Sequence, residues 1–180
     1  MPAMVAVWDL PLRLFHWTLA ASVLIAYFSA NVFDTVHEIA GYTVLGLIAF
    51  RLIWGFVGPR NARFASFVQP PRATLRYLRQ LACGRPGRYL GHNPAGAATI
   101  VALLALLAIS TISGWMQITE RFFGVAWVET VHTTSSNLVL LLVAVHVVGV
   151  IAMCILQKEN LVRAMITGRK PERGNPARDH

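Results

Sequence analysis

Four long apolar stretches constrain the fold of this 180-residue chain more than any other feature of its sequence. Each reaches the roughly 20 residues of helix that are needed to cross a hydrocarbon core of about 30 Å. The only formal charge inside them is Arg51. Because every backbone polar group must be satisfied internally in lipid, we predict an all-α fold, a four-helix transmembrane bundle. The predicted spans cover residues 14–33, 39–58, 94–119 and 130–156.

The composition supports a single membrane domain. The chain is 56% hydrophobic and 13% charged, which is too apolar for an ordinary soluble domain. We therefore assign residues 1–168 to one four-helix membrane domain. Residues 169–180 are rich in Pro, Gly and charge, and a disordered tail is predicted there. The first apolar stretch follows Arg13, but it is too long for a secretory signal and no small-residue cleavage site follows it, so we interpret it as a retained helix.

The cations predict the orientation of the chain. Most of the sixteen Lys and Arg residues lie between the second and third stretches or after the fourth, whereas the other two loops hold only Arg121. By the positive-inside rule, both termini are predicted to be cytoplasmic. The net charge of +8 therefore reflects topology and gives no reason to expect nucleic-acid binding, although the basic inner loop would attract anionic lipid headgroups.

The inner loop between the second and third stretches has a helical pattern. Its arginines and its apolar residues fall on separate stripes, which predicts a short amphipathic helix on the membrane surface. A solvated basic connector is the alternative. The two stripes consist of Arg72, Arg76 and Arg79, and of Leu75, Leu78 and Ala82.

The cysteines and the absence of common motifs limit the possible chemistry. Cys83 and Cys154 are too few for an iron–sulfur cluster of the usual four-thiolate kind. The sequence contains no C-x-x-C-H string for covalent haem attachment, no glycine-rich phosphate loop and no nucleophile elbow. No residue is assigned a catalytic role. The chemistry of this chain must therefore depend on its histidines.

Four histidines are predicted to form two pairs at two depths. His132 and His146 are fourteen residues apart in the fourth stretch, which places them on one stripe of a helix about 21 Å apart. His16 lies near the inner end of the first stretch, and His37 lies at the outer start of the second. His16 can thus pair with His146 at an inner level, and His37 with His132 at an outer level. Two such pairs are what two bis-histidine haems require.

Arg51 supports the same arrangement. It follows His37 by fourteen residues, so it lies on the same stripe about 21 Å lower, at the inner level. An arginine at that depth needs an anion, and a haem propionate would accept two charge-assisted hydrogen bonds from it. Arg13, at the inner edge of the first stretch, is predicted to bind the other propionate. The alternative is that Arg51 extends along the helix to the cytoplasmic interface.

Each histidine also has a simpler interpretation as a packing residue. His37 lies at a loop edge and could be merely interfacial, and His16 precedes Trp17 as an interfacial anchor would. His92 precedes Asn93 at the start of the third stretch, where a helix cap or a hydrogen-bond donor is a common role. Four histidines that pair by depth favour the ligand interpretation over these alternatives.

Four strings carry these histidines: VWDLPLRLFHW from residue 7, VHEIAGYTVLGLIAFRLIWGFVGPRNARF from residue 36, GHNPAGA from residue 91 and VHTTSSNLVLLLVAVHVVGV from residue 131. Together they resemble the prokaryotic cytochrome b561 family, which includes the b-type cytochrome subunits of nickel–iron hydrogenases. The resemblance implies a four-helix membrane cytochrome with two b haems in the bacterial inner membrane. The family's haem ligands correspond to His16, His37, His132 and His146, and the string around Arg51 matches as well.

The resemblance further implies electron transfer between the quinone pool and a redox partner. That partner would be a separate polypeptide: a periplasmic cytochrome c, a hydrogenase or another dehydrogenase subunit. A quinone headgroup needs a hydrogen-bond donor, for which His92, Asn93 and Arg51 near the inner haem are candidates. A quinone site near the outer haem is the alternative.

Two other functions remain open. The first is superoxide oxidation at the outer face with quinone as acceptor, but the outer loops pair only Arg121 with four acidic residues, which does not favour anion capture. The acidic residues are Asp34, Glu38, Glu120 and Glu129. The second is a transporter whose histidines bind a metal or relay protons, against which the continuous helices without paired Pro or Gly breaks argue.

Overall fold

The computed structural model describes residues 4–84, 87, 89 and 91–171. Helices dominate this part of the chain, and two short strands lie at its ends. In chain order the elements are strand β1 (Met4–Ala6), helices α1 (Leu10–Ser29) and α2 (Asp34–Val57), a 3₁₀ turn (Arg60–Ala62), helices α3 (Phe64–Phe67), α4 (Pro71–Ala82), α5 (Pro94–Gln117), α6 (Ala126–Gln157) and α7 (Leu161–Thr167), and strand β2 (Arg169–Pro171).

Within the described residues, four helices are long and apolar enough to cross a membrane, namely α1, α2, α5 and α6. Only 11% to 28% of the residues in their most apolar segments are buried inside the protein. Most of their apolar side chains therefore face outward, as lipid-exposed side chains do. The prediction of an all-α transmembrane fold with four spans is confirmed.

The helix ends differ from the predicted spans. Helix α1 begins at Leu10 and ends at Ser29, four residues earlier at each end than the apolar stretch. Helix α2 begins at Asp34, whose carboxylate suits the positive end of the helix dipole. Hydropathy locates the segment that lies in lipid, whereas caps and backbone hydrogen bonds decide where a helix ends.

Residues 14–53 and 102–145 form one compact unit, which we call the core unit. Each spanning helix contributes to its apolar interior. Val44 of α2, Leu107 of α5 and Val139 of α6 are buried there, and Leu19 of α1 packs against them. The core unit thus holds the four helices together by dispersion contacts between close-packed aliphatic side chains.

The described residues of the ranges 1–13, 54–101 and 146–180 form a second compact unit, which we call the terminal unit. Strands β1 and β2 pair there in antiparallel register, with Val5 opposite Lys170. The carbonyl of Gly168 also accepts hydrogen bonds from the backbone N–H groups of Val7 and Trp8, at 2.8 and 3.1 Å. Backbone hydrogen bonds therefore connect the segment before α1 to the segment after α7.

Side chains fix the same N-terminal segment to the residues that end α2. The Trp54 indole donates a hydrogen bond to a carboxylate oxygen of Asp9 at 2.8 Å. The Asn61 amide donates another to the carbonyl of Val7 at 3.3 Å. The segment before α1 is thus held from two directions within the terminal unit.

The sequence predicts disorder from residue 169 onward, but the structure has strand β2 at Arg169–Pro171. A three-residue strand has no alternation to recognise, and its partner is at the other end of the chain. Residues 172–180, including His180, lie outside the described part, as do Arg85 and Arg88 of the inner loop.

The predicted amphipathic helix of the inner loop is present as α4. Its arginine stripe is exposed, and Leu75 and Leu78 are about half exposed, at 52% and 46%. Tyr77 on another face is 2% exposed, and its hydroxyl donates a hydrogen bond to the sulfur of Met153 at 3.6 Å. Burial, with a smaller effect of Tyr89, raises the pKa of the Tyr77 phenol, which therefore stays neutral at physiological pH. The buried Tyr77 side chain thus fixes α4, while the arginines of the basic stripe and Leu75 and Leu78 of the apolar stripe are exposed.

We expect Gly168→Ala to destabilise the protein more than Gly84→Ala. Both glycines have positive φ, at 77° and 71°, so alanine at either position introduces backbone strain of about 1 kcal/mol. At position 168 the new Cβ would also lie 2.6 Å from the carbonyl oxygen of Trp8, whereas at position 84 nothing lies within 4 Å. Thermal unfolding in detergent should show about 2 kcal/mol or more of additional loss for Gly168→Ala. Equal losses would contradict the importance of this contact.

Candidate metal centre

The structure brings His37 and His132 together inside the core unit. Their ring centroids are 6.0 Å apart and the ring planes are nearly perpendicular, at 89°. His37 lies in the first turn of α2, and His132 lies in the second turn of α6. Both side chains are half-buried. These are the two histidines that the sequence places at a common outer level.

Each of these imidazoles is oriented by one hydrogen bond to a backbone carbonyl. Nδ1 of His37 is 2.8 Å from the carbonyl oxygen of Ala26, and Nδ1 of His132 is 2.8 Å from that of Ser110. A carbonyl oxygen can only accept, so Nδ1 must carry the proton in both rings. Nε2 then keeps its lone pair. This is the tautomer that a metal-ligating histidine needs.

The spacing of the two rings fits a shared metal. Two imidazoles that bind one ion from opposite sides, each nitrogen about 2 Å away, have ring centroids roughly 6 Å apart. In the described part of the chain, no three His, Cys, Asp or Glu residues are grouped closely enough to hold a metal ion. A metal at this point would need its other ligands from a non-protein group. A porphyrin provides four nitrogens and leaves two axial positions for imidazoles.

The end of α1 explains why the Ala26 carbonyl is available to His37. Helix α1 ends at Ser29, so the carbonyl of Ala26 belongs to the last turn. Carbonyls in that turn have no partner within the helix and accept from elsewhere. The Ser29 hydroxyl donates mainly to the carbonyl of Ile25, at 2.7 Å, and is 3.4 Å from that of Ala26. His37 is therefore oriented by the way α1 ends.

A glycine makes room for His132. A Cβ on Gly114 would lie 2.9 Å from Cε1 and 3.0 Å from Nδ1 of the His132 ring, closer than real Cβ atoms come. Gly114 is one turn after Ser110, so both residues lie on the face of α5 that contacts the imidazole. The missing side chain lets the ring approach the Ser110 carbonyl, which has a second lone pair for this bond. Gly114 was not among the residues predicted from the sequence. The only sequence feature that marks it is that it is an isolated glycine within an apolar helix.

His16 and His146 are both half-buried, on α1 and α6 respectively. The His16 ring makes an edge-to-face contact with Trp17, with centroids 5.1 Å apart. His16 belongs to the core unit and His146 to the terminal unit. Their predicted pairing at the inner level stays a prediction.

The two predicted propionate ligands differ in their surroundings. Arg51 in α2 is 2% exposed, so its side chain is enclosed by protein and does not extend to the surface. This burial favours the propionate interpretation over an arginine that extends along the outside of the helix. Arg13 near the start of α1 has a buried Nε that makes no hydrogen bond within the described residues. Its guanidinium lies close to Gly168. Both positions suit cations that bind a carboxylate.

Of the three predicted quinone ligands, Arg51 lies in α2, whereas His92 and Asn93 lie at the start of α5. The cap of this helix is Asn93 rather than His92: its side-chain oxygen accepts from the backbone N–H of Gly96 at 2.7 Å. A polar side chain one residue before Pro94 suits a helix that starts with proline. The His92 ring lies between two aromatic rings, with its centroid 4.5 Å from that of Trp8 and 4.8 Å from that of Phe67.

Comparisons with known proteins identify the family of this chain. The family model of prokaryotic cytochrome b561 matches residues 7–168. Three similar curated proteins are named "Probable Ni/Fe-hydrogenase B-type cytochrome subunit". The protein from Rhodobacter capsulatus is 23% identical over 92% of this chain and 81% of its own length, and that from Rhizobium leguminosarum bv. viciae is 23% identical over 92% and 88%. The protein from Azotobacter vinelandii is 25% identical over 91% and 87%.

No solved structure matches the chain. The family match covers all four spanning helices and every histidine of the two predicted pairs. The chain therefore belongs to the prokaryotic cytochrome b561 family.

Proposed function

We propose that this protein is a di-haem b-type cytochrome that transfers electrons between the quinone pool and a redox partner. Its family, hydrogenase-associated b-type cytochromes, implies haem b and electron transfer. The observation that carries the finer proposal is the His37–His132 pair. Two imidazoles with their lone pairs on Nε2 and their centroids 6.0 Å apart are suited to hold a haem between them.

The second haem is proposed to bind between His16 and His146. Helix α6 is continuous over 32 residues, so His132 and His146 lie on one helix about 21 Å apart. This spacing supports one haem near each face of the membrane. Each iron would then have two imidazole ligands.

Arg51 and Arg13 are proposed to bind haem propionates. Arg51 is buried on the helix that also carries His37, fourteen residues further along. A planar guanidinium donates two parallel hydrogen bonds to a carboxylate, and such pairs are stronger when water is excluded. These arginines would both orient the haem and stabilise the negative charge that it brings into an apolar protein.

A haem supplies one-electron chemistry, and the protein supplies position and electrostatics. His37 and His132 keep their rings fixed through the Nδ1–H bonds to Ala26 and Ser110, which also raise the basicity of Nε2. Bis-imidazole ligation leaves no open coordination position for oxygen. The apolar interior around Val44 and Leu107 excludes water from the core unit.

For the quinone, His92 is the stronger of the candidates at the start of α5. The Asn93 oxygen already caps the helix, whereas the half-buried His92 ring, which contacts Trp8 and Phe67, carries two nitrogens that can exchange a proton. An imidazole donor at a quinone carbonyl can also pass a proton. Arg51 is proposed to contribute positive charge, and a site near the outer haem remains the alternative.

The proposed partner is a separate redox protein. The names of the similar proteins suggest that this partner is a hydrogenase. A periplasmic cytochrome c or another dehydrogenase subunit fits the same role. We propose an inner-membrane location with both termini cytoplasmic.

Superoxide capture is disfavoured by the charges on the predicted outer side. The four carboxylates there are exposed, and the Arg121 guanidinium lies against the ring of Phe122, 5.4 Å from its centroid. A metal or proton transporter gains no support from the His37–His132 geometry.

Replacement of His37 or His132 by alanine should remove one haem. Each variant should keep the inner haem, so we expect the haem content per chain to fall from two to one, with half of the α-band absorbance lost in the reduced-minus-oxidised spectrum. The pyridine haemochrome assay measures the count directly. The control is Asn137→Ala, an exposed position on the same helix as His132. Full haem content in the histidine variants would contradict the proposal.

Gly114→Ala should perturb the outer haem without replacing a ligand. The added methyl would push His132 out of position, because it cannot lie 2.9 Å from the ring. We expect partial loss of one haem or a broadened low-spin spectrum. Gly46→Ala on α2 is the matched control, since a Cβ there meets nothing within 4 Å. Identical spectra for the two variants would show that the approach of His132 to α5 is unimportant.

His92→Ala should slow quinone turnover by about tenfold or more while both haems keep their spectra, because a positioned acid or base contributes at least this much. His92→Phe is the matched control: it keeps the aromatic packing on Trp8 and Phe67 and removes only the nitrogens. If the donor matters, both variants are slow in a quinol-reductase assay. Normal turnover in His92→Phe would assign His92 a packing role and move the quinone site elsewhere.

A further inference from the structure

A basic cavity in the terminal unit is lined by none of the residues that we propose for haem or quinone binding. Its volume is about 400 Å³, and it is lined by strand β2 and by the residues that connect α6 to α7. Four cations and one carboxylate contribute to the lining. They are Lys158, Arg163, Arg169 and Lys170, and Glu159.

Among the described residues, the lining of this cavity carries an excess of positive charge. Lys170 and Glu159 are buried, at 5% and 7% exposure, and the other three cations are exposed. The one carboxylate of the described lining can neutralise only one of its four cations. Such a lining raises the local concentration of anions.

The backbone around the cavity is well fixed. Lys170 is held in the β-sheet opposite Val5. The Asn160 side chain accepts a hydrogen bond from the backbone N–H of Arg163 at 2.7 Å, which fixes the start of α7. The cations are thus placed by ordered elements. A preorganised lining loses little conformational entropy when a ligand binds.

We propose that this cavity binds a phosphate group, either on the headgroup of an anionic phospholipid or on a small soluble phosphate ester. Arg163 and Arg169 carry planar guanidinium forks that match phosphate oxygens, and lysines add point charges. The volume lies within the range of small-ligand sites.

The surroundings of the cavity favour a lipid as the source of the phosphate. The cavity follows the end of the spanning helix α6, where Ile155 and Leu156 are 71% and 53% exposed, and Ile166 on α7 is 55% exposed. Exposed apolar side chains next to a basic cavity match the amphipathic structure of a phospholipid, with acyl chains beside its charged headgroup. The site is independent of haem ligation.

The experiment uses the full-length haem-loaded protein, delipidated in a neutral detergent. The thermal unfolding midpoint is measured against increasing short-chain phosphatidylglycerol, phosphatidylcholine and glycerol phosphate. Because a ligand that binds only the folded state stabilises it, we expect phosphatidylglycerol to raise the midpoint, and phosphatidylcholine to have little effect. A rise with glycerol phosphate as large as that with phosphatidylglycerol would identify a soluble ester as ligand, and a rise with the lipid alone would identify the headgroup.

Two charge-neutralising variants test the site itself. Arg163→Gln and Arg169→Gln should each weaken the apparent affinity about tenfold, as expected for the loss of a charge-assisted hydrogen bond. Arg121→Gln is the matched control, because it removes another exposed arginine that lies outside the cavity and outside the basic inner loop. Unchanged haem spectra establish that each variant is folded. Equal weakening by all three variants, or no rise in the midpoint with any phosphate, would overturn the proposal.

Discussion

Two hydrogen bonds from imidazole to backbone determine what the core unit can do. The Nδ1–H groups of His37 and His132 donate to the carbonyls of Ala26 and Ser110, and this leaves Nε2 of both rings as a base. Neither bond depends on the histidines alone. One needs α1 to end at Ser29, and the other needs the absence of a side chain at Gly114. The geometry of this histidine pair is thus a property of four helices, only two of which carry the histidines.

Polar groups elsewhere in the spanning helices also need hydrogen-bond partners within the protein. Most of the apolar side chains face outward, where lipid requires them, so polar groups inside the helices must find partners within the protein. The hydroxyls of Ser110 and Ser136 are 2.8 Å apart and join α5 to α6. Arg51 is buried at 2% exposure. A guanidinium enclosed in this way needs an anion or other hydrogen-bond acceptors close to it, which is the reason for proposing that Arg51 binds a haem propionate.

The sequence predicts the features that repeat along a helix. Apolar runs located the four spans, arginine and leucine stripes located α4, and the direction of the helices placed His37 level with His132. Features that need a contact between distant residues were not predictable. Gly114 matters only because His132 approaches it, and β1 is a strand only because residues 169–171 reach it. The residue that caps α5 was also not predictable, because His92 and Asn93 are both polar and only the bond to Gly96 distinguishes them.

The cations illustrate how one pattern can serve two physical purposes. Counting Lys and Arg by segment predicts orientation, and nothing in that count distinguishes a solvated arginine from one that lines a cavity. The fold makes the distinction: α4 presents its arginines on an open stripe, whereas β2 and the turn before α7 gather theirs around a cavity. Lys170 is 5% exposed and is held in strand β2 by backbone pairing with Val5. The orientation of the chain in a membrane does not by itself require a lysine in that position. Positive charge in these segments is therefore the basis both of the predicted orientation and of the proposed binding of a phosphate group.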